Sequence, residues 1–370
     1  MPFEIDFLSV GNGEMSGDAI AARYGSPDAY TVIIYDGGTQ ESGAELVEHI
    51  KKYYQTEYVD HVVNSHPDAD HASGLSVVLE KLGVGTLWIH RPWNYSHIIL
   101  DYFKDGRITS ESLKKRLHEK MAAAYNLEQL ALKKRINIRE PFQGETIGSF
   151  HVLSPNREWY IHELIASFEK SPEQKMAEMT SNRTLTYGLL KVLAEVAKKA
   201  VTWVAERWEI ELLREDVETS AENESSVILY AYMEESKHGI LLTGDSGVKA
   251  LTVAANYLES YNISAPQIIK FLQIPHHGSR HNVSSSVLDR IVGQRLSGKP
   301  SDYDKVAFVS AGKDSTTHPR KMVINAFIRR GAQVFATKGQ SKRHQRGMPA
   351  REGWEIVTPL EFSNQVEGWD

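Results

Sequence analysis

The residues best suited to chemistry lie in one short segment, residues 65–71, which reads SHPDADH. It follows the strand-like run VDHVVN and supplies two imidazoles and two carboxylates, groups that suit zinc, manganese or iron. His66 and Asp68 alternate along an extended segment and therefore share one face, whereas Asp70 and His71 lie where the next helix begins. This spacing lets one loop serve two metal ions about 3.5–4 Å apart, the separation that clamps the attacking and leaving oxygens of a displacement. The alternative is an acidic loop that caps the next helix and carries two incidental histidines.

Other apolar runs also end in residues that can bind metal or move protons. The run LLTGD ends at Asp245, which is well placed to bridge two metal ions, and His276 and His277 follow the apolar run IIKFLQIP. One imidazole of such a pair can bind metal while the other orients it or contacts substrate. Asp36, in the sequence YDGG, fits a carboxylate that accepts a hydrogen bond from a ligand imidazole, and a third candidate, His318, lies in THP at a strand-to-helix junction. A plain turn residue is the alternative for Asp36, and a helix N-cap is the alternative for Asp245.

Short β-rich runs alternate with segments of helical spacing on both sides of a long helical middle region. The alternation covers residues 3–91 and resumes at Ser226. It predicts an α/β layered core, made of two similar halves within one domain that spans residues 1–370. Helical spacing predicts insertions at residues 92–142 and 156–220, and we expect these insertions to cap the active site.

Composition excludes several classes of protein. The 370 residues are 41% hydrophobic, which is enough for a core and unlike a disordered chain. The absence of cysteine excludes disulfides, thiolate zinc sites, iron–sulfur clusters and a cysteine nucleophile. No uncharged apolar stretch of about 18 residues is present and the N-terminal sequence lacks the features of a signal peptide, so we expect no membrane partner and a cytoplasmic location. The net charge of −6 argues against non-specific coating of duplex nucleic acid.

The order of the motifs DGG, HPDADH, TGD, PHHGS and HP strongly resembles the metallo-β-lactamase superfamily. Within that superfamily the chain is similar to the branch of the soluble nuclease domain of competence DNA-uptake proteins, in which an aspartate replaces the second histidine of the metal loop. The opening VGNG…GDAI and the segment NESSVIL also resemble that branch. The resemblance covers roughly residues 3–91, 143–155 and 223–345.

The resemblance implies an αββα sandwich with one or two divalent metal ions, zinc or manganese, at its open edge. It implies that one ion is held by His66 and Asp68, the other by Asp70 and His71 with either His276 or His277, and that Asp245 bridges the two. The superfamily's third-motif histidine has no obvious match, because the equivalent region reads Asn223–Ser226. The first site is therefore expected to be rich in oxygen ligands and better suited to manganese than to zinc.

The residues and the resemblance together predict a metal-dependent hydrolase, most specifically a phosphodiesterase or nuclease with single-stranded DNA as the first candidate substrate. The predicted catalytic residues are Asp70, His277 and His318. The residues predicted to support ligands or contact a substrate phosphate are Asp36, Asn223, Ser226, Ser279, Arg280 and Lys313. Two alternatives stay open: a hydrolase of a small ester, such as a phosphodiester headgroup, cyclic nucleotide or lactone, and a binding or regulatory module with a degenerate site.

Two weaker features bear on the substrate. Basic residues cluster between Lys338 and Arg351 after the run AQVFAT, where they could hold a nucleic-acid backbone or simply face water in a loop. The aromatic side chains of the predicted insertions could stack on bases, although core packing is the commoner fate of such residues: Trp93, Tyr95, Trp159 and Tyr160.

Overall fold

The β-rich runs of the sequence form two large sheets in the computed structural model. The structure describes residues 1–11, 13, 17–102, 108–168, 202–354 and 357–369. The first sheet consists, in spatial order, of β15 (Lys342–Arg346), β1 (Phe3–Phe7), β2 (Ala19–Ser26), β3 (Ala29–Gly37), β4 (Tyr58–Val63), β5 (Gly83–Trp88) and β6 (Asn137–Arg139). The second consists of β14 (Ala332–Ala336), β13 (Lys305–Val309), β12 (Ile269–Gln273), β11 (His238–Leu242), β10 (Ile228–Met233), β8 (Phe150–Ser154) and β7 (Thr146–Ile147). A separate two-stranded sheet pairs β9 (Trp203–Ala205) with β16 (Gln365–Glu367).

Helices cover the outer faces of both sheets and connect their parallel strands. The α-helices are α1 (Gln40–His49), α2 (Ala69–Lys81), α3 (Ser96–Ile99), α4 (Ser110–Lys120), α5 (Ala122–Lys134), α6 (Arg157–Trp159), α7 (Ile165–Phe168), α8 (Ala221–Glu224), α9 (Val248–Ser260), α10 (Ala265–Ile268), α11 (Ser285–Ile291) and α12 (Lys321–Arg329). Short 3₁₀ turns span Pro92–Tyr95, Leu100–Tyr102, Glu234–Ser236 and His276–Gly278, and π-helical turns span Ile50–Tyr54 and Tyr160–Leu164.

Three apolar layers hold the sandwich together. Between the sheets lie large side chains such as Phe7, Phe271 and Phe308, whose rings pack edge to face. The helices α1, α2, α4 and α5 bury a second layer against the first sheet, and α9, α11 and α12 bury a third against the second sheet. Each fully buried large apolar side chain contributes roughly 1.5–3 kcal/mol. The result is the αββα sandwich that the sequence predicts.

The carboxyl ends of the parallel strands meet at one edge of the sandwich. In the first sheet β3, β4 and β5 run parallel, and in the second β11, β12 and β13 run parallel. Loops that leave these ends therefore approach one another from both sheets.

The helices between residues 92 and 142 belong to the outer layer of the first sheet. Trp93 and Tyr95 are buried in its apolar core, and Tyr160 from the second insertion joins them. The core-packing alternative is therefore confirmed for these three aromatic residues. The strand β6 extends the first sheet, so this insertion is not purely helical. The expected cap over the active site stays a prediction.

The second insertion is helical only in part. Residues 157–168 are helical, but residues 202–220 form β9, turns and extended chain, so the helical prediction is wrong there. The rest of the predicted apolar stripe, before residue 202, lies outside the described residues. Buried ion pairs account for the extended path, because Glu206 accepts from Arg329 at 3.1 Å and Glu211 from Arg330 at 2.6 Å. These contacts with α12 override the local helical spacing.

The basic cluster after AQVFAT forms an edge strand rather than a solvated loop. Residues 342–346 pair with β1. Arg343 and Arg351 bind the fully buried carboxylates of Glu4 and Asp6, which point away from the intersheet core. His344 lies between the sheets, where burial lowers its pKa to about 3. Much of the positive charge of the cluster is thus neutralised by buried carboxylates.

Among the described residues, no helix is both long enough and apolar enough to cross a membrane.

We predict that His90→Leu reduces the pH dependence of stability. His90 packs against Phe142 and Tyr160, and burial lowers its pKa from 6.5 to about 3. Because the unfolded chain then binds more protons than the folded chain below pH 6.5, wild-type stability falls as the pH falls toward 3. For this one histidine the loss from pH 7.5 to pH 5 is about 2 kcal/mol. Urea unfolding at the two pH values measures it.

The matched control is His97→Leu, which removes an exposed imidazole. It should leave the wild-type pH dependence unchanged. An equal loss of stability between pH 7.5 and pH 5 in His90→Leu and the wild type would contradict the prediction.

Candidate metal centre

The motif residues come together at the edge where the parallel strands end. Asp36 is the penultimate residue of β3, and His66 to His71 follow β4. Asp245 follows β11, and the histidine pair follows β12. Loops spread over about two thirds of the chain therefore supply one cluster, as the sequence predicts.

The carboxylate of Asp245 is the centre of this cluster. Asp245 is 3% exposed, and its backbone N–H donates to the Ser226 hydroxyl at 3.1 Å. Four imidazole Nε2 atoms surround its Oδ2 atom: His71 at 3.3 Å, His276 at 3.7 Å, His66 at 3.8 Å and His277 at 3.8 Å. Its other oxygen, Oδ1, is buried without a hydrogen-bond partner.

Asp36 fixes the orientation of two of the imidazoles. It accepts from the Ser65 backbone N–H at 2.7 Å, the Ser65 hydroxyl at 2.5 Å and His71 Nδ1 at 2.9 Å. Since the Ser65 hydroxyl donates to Asp36, it accepts from His66 Nδ1 at 2.8 Å. Both rings then carry the proton on Nδ1 and present the Nε2 lone pair to the cluster. Neither buried Nε2 atom has a hydrogen-bond partner.

The other two imidazoles are held in the same tautomer by different partners. His277 Nδ1 donates to the Ser310 carbonyl at 3.1 Å. His276 Nδ1 lies 2.8 Å from Asn282 Oδ1, and the Asn282 amide donates to the Asp245 carbonyl at 2.8 Å. That second bond orients the amide so that its oxygen faces His276, which therefore donates. All four rings direct an Nε2 lone pair at the centre.

Three further carboxylates border the imidazoles. Asp68 Oδ2 lies 3.7 Å from His66 Nε2, and Asp70 offers an oxygen within 4.8 Å of ligand atoms of His71 and His277. The third, Asp18, was not predicted as a site residue; its Oδ2 lies 3.9 Å from His71 Nδ1, and it is buried.

The charges in the cluster favour a cation at its centre. Burial would raise the pKa of Asp245, but His71, His276 and His277 hold that pKa well below its ordinary value. Burial would lower the pKa of His71, but the carboxylates of Asp245 and Asp36 raise it well above its ordinary value. Burial would likewise raise the pKa of Asp68, but His66 lowers it. These shifts mean that the cluster stabilises positive charge.

The donor set fits divalent metal. Three buried ligand atoms lack partners: His66 Nε2, His71 Nε2 and Asp245 Oδ1. Unpaired buried polar atoms are costly in a protein, and metal coordination satisfies them. Neutral imidazoles with carboxylates are ligands of zinc and of manganese, and each imidazole has the outer hydrogen bond usual for ligating histidines.

Gln273 links the two sheets beneath the cluster. From β12 its side-chain oxygen accepts from the backbone N–H groups of Thr243 at 2.9 Å and Gly244 at 3.0 Å, and its amide donates to Asp18 at 2.8 Å. Asp18 immediately precedes β2 of the first sheet, so one buried side chain holds the Asp245 turn against the opposite sheet. The sequence GDAI is part of the resemblance, but no spacing pattern in the sequence marks Asp18 as a residue of the site.

The remaining predicted residues surround the cluster at different distances. The His318 ring centroid lies 6.3 Å from that of His276. The side-chain nitrogen of Asn223 lies 3.2 Å from His276 Nδ1 and donates to the Thr219 hydroxyl at 2.9 Å. The Ser279 hydroxyl accepts from the His281 backbone N–H at 3.3 Å. Two cations predicted to contact phosphate point elsewhere or are exposed. Arg280 donates to the Gly368 carbonyl at 2.5 Å with its guanidinium 4.8 Å from the Trp369 ring centroid, and Lys313 is exposed.

Comparison with known proteins identifies the fold. Residues 30–120 match the model of the metallo-beta-lactamase superfamily, and this segment contains Asp36 and the 65–71 motif. The match and the two-sheet sandwich both identify the fold as that of the metallo-β-lactamase superfamily. The similarity to the competence branch stays a prediction. No curated protein matches the chain at a significant level.

The solved structures that the chain is similar to are distant in sequence. A diphosphatase from the PhnP family is 9% identical, with 93% of this chain and 99% of that chain covered and a TM-score of 0.37. A long-form RNase Z from yeast is 13% identical, with 83% and 37% covered and a TM-score of 0.34. A motif mutant of a metallo-beta-lactamase from Cronobacter sakazakii is 14% identical, with 40% and 48% covered and a TM-score of 0.22. The chain thus spans less than half the length of the last two proteins.

We predict that Asp36→Asn weakens metal binding by about 10- to 100-fold, the usual cost of losing an outer partner of ligating histidines. The amide keeps the shape, and asparagine tolerates the positive φ of 59° at this position. Its single amide oxygen can replace only one of the two carboxylate oxygens, of which Oδ1 accepts from the Ser65 backbone N–H and Oδ2 accepts from the Ser65 hydroxyl and His71 Nδ1. Competition with a chromophoric chelator measures the affinity.

Ser65→Ala is the graded control, because it removes the support of His66 while His71 keeps its bond to Asp36. Its effect should be smaller than that of Asp36→Asn. Unchanged affinity in Asp36→Asn would contradict the assignment of Asp36 as the common support.

We also predict that Gln273→Leu lowers metal affinity. The substitution removes the acceptor of the Thr243 and Gly244 N–H groups and the donor to Asp18. Leucine still fills the buried space with an apolar side chain. Buried donors left unsatisfied cost about 1–3 kcal/mol, so the melting temperature should fall as well. Adding saturating metal should recover part of the lost melting temperature, because ligands stabilise the state that they bind. A variant with normal affinity would show that this clamp does not position Asp245.

Proposed function

We propose that the protein is a metal-dependent hydrolase that cleaves phosphodiester bonds. One observation carries the proposal: four imidazole lone pairs converge within 3.8 Å of one buried carboxylate oxygen, and each ring is held in that orientation by its own partner. A structural salt bridge needs no such convergence. Divalent ions held there would lower the pKa of water to about 7 and neutralise charge that develops on substrate oxygens.

The residues of the cluster and its border have different roles in this proposal. Asp245 lies where a carboxylate can be shared between two ions, with Asp68 on one side and Asp70 on the other. The predicted catalytic residues Asp70 and His277 belong to this set. His318 is partly exposed beside the histidine pair, where an imidazole can protonate a leaving oxygen or bind a phosphate oxygen.

The distribution of positive charge supports a small phosphodiester over DNA. A nucleic-acid backbone is held mainly by lysine and arginine side chains that are free to contact phosphates. In the basic cluster, however, Arg343 and Arg351 bind Glu4 and Asp6, and Lys342 is buried. Arg346 donates to the Ser236 carbonyl at 3.0 Å. Short single-stranded DNA remains the second candidate substrate.

We predict metal-dependent hydrolysis of bis(p-nitrophenyl) phosphate by the wild-type protein with Mn²⁺ or Zn²⁺. Asp245→Asn should lower kcat/KM by more than about 100-fold, because losing a shared ligand costs more than losing an outer partner. Chelation should abolish the activity and readdition of metal should restore it. End-labelled single-stranded DNA and p-nitrophenyl acetate, assayed in parallel, rank the substrate classes.

Asp28→Asn is the control, since it removes an exposed carboxylate in the turn between β2 and β3. It should retain wild-type activity. Hydrolysis that resists chelation, or equal rates in Asp245→Asn and the wild type, would overturn the proposal. Absence of bound metal together with a melting temperature that chelation does not change would favour the binding-module alternative.

A further inference from the structure

We infer that the two adjacent histidines serve different metal ions. His277 completes the ion site beside Asp70 and His71, and His276 completes the ion site beside His66 and Asp68. Asp245 is shared between them. This inference rests on the proposed function, because it specifies how the same centre divides its ligands.

His277 belongs with the residues that begin α2. Its ligand atom lies within 4.8 Å of those of Asp70 and His71, and its ring centroid is 5.9 Å from that of His71. It is 6% exposed and anchored to the Ser310 carbonyl after β13. With Asp245, these residues offer four protein ligands on this side.

His276 approaches the shared carboxylate from another direction. Its ring centroid is 5.5 Å from that of His277 with the planes at 67°, yet its Nε2 lies 3.7 Å from Asp245 Oδ2. Its outer nitrogen is held by Asn282 rather than by the strand end that holds His277. Each imidazole is thus positioned by its own outer partner, while the ligand atoms of both lie within 4.8 Å of each other and of that of Asp245.

The backbone is shaped so that both rings face inward. Neighbouring residues of an extended segment point to opposite faces. Here His276 has a φ of 45° and His277 a φ of 56°, followed by Gly278 at 80°. Left-handed conformations of non-glycine residues cost of the order of 1–3 kcal/mol each and persist at sites of function. A site that used only one of the two histidines would not need two consecutive residues in the left-handed conformation.

Without His276, the side of the centre at His66 has only one imidazole. The segment 223–226 supplies no histidine there, and the Ser226 hydroxyl is used by the Asp245 backbone N–H. His66, Asp68 and Asp245 are then the remaining ligands on that side. His276 raises the number of protein ligands on this side to four, the same number as on the side of His71, and supplies a second nitrogen ligand.

The test compares metal content and stepwise affinity in His276→Gly and His277→Gly. Glycine accepts the positive φ of both positions, so ligand loss is separated from backbone strain. Elemental analysis and titration with Mn²⁺ or Zn²⁺ should find two ions in the wild type and one in each variant. We also expect exogenous imidazole to restore the second ion in His276→Gly, because that side chain is 30% exposed.

His281→Gly is the matched control, since His281 is an exposed histidine of the same loop. It should retain both ions with affinities within about 3-fold of the wild type, which is within 1 kcal/mol. Two ions at unchanged affinity in His276→Gly would overturn the inference and leave the proposed function intact. A wild-type protein that binds no divalent metal would overturn both.

Discussion

The structure depends on the burial of one carboxylate among four imidazoles. An ionised group taken from water costs several kcal/mol unless it is paired and hydrogen-bonded. Asp245 is 3% exposed, and the imidazole nitrogens nearest to it stand 3.3–3.8 Å away with their lone pairs inward. Neutral lone pairs cannot compensate a carboxylate by themselves. A cation between them satisfies both, which is why protons or metal ions are favoured at this point.

The sandwich holds this arrangement in place, since residues of the cluster come from both sheets. Direct hydrogen bonds join the sheets near the centre: Tyr35 donates its hydroxyl to the Val227 carbonyl at 2.6 Å, and the Val227 backbone N–H donates to the Ser65 carbonyl at 3.0 Å. Gln273 adds a third link through Asp18. The intersheet core therefore does more than stabilise the fold, because any shift between the sheets would move Asp245 relative to His66 and His71.

The sequence predicts which side chains cluster because they share a local signature: polar groups directly after apolar strands, at ends that a parallel sheet brings together. The αββα architecture followed from the same alternation and from the resemblance. Long-range pairing was not visible. Arg343 and Arg351 read as a solvated basic cluster because their partners, Glu4 and Asp6, lie more than 300 positions away. The extended chain at residues 202–220 departs from the helical prediction because its determinants are the buried Arg329 and Arg330 at the end of α12, more than 100 positions away.

Charge balance at the centre bears on the phosphodiester substrate that we propose. Five carboxylates stand around the imidazoles: Asp18, Asp36, Asp68, Asp70 and Asp245. Burial raises the pKa of Asp18. Two divalent ions would balance the charge of the other four carboxylates when these are ionised. A balanced, partly buried site admits a singly charged diester more readily than a doubly charged monoester, because excess charge there is poorly solvated. With such a balance, the proposed binding of a phosphodiester anion would not require arginine or lysine at the centre.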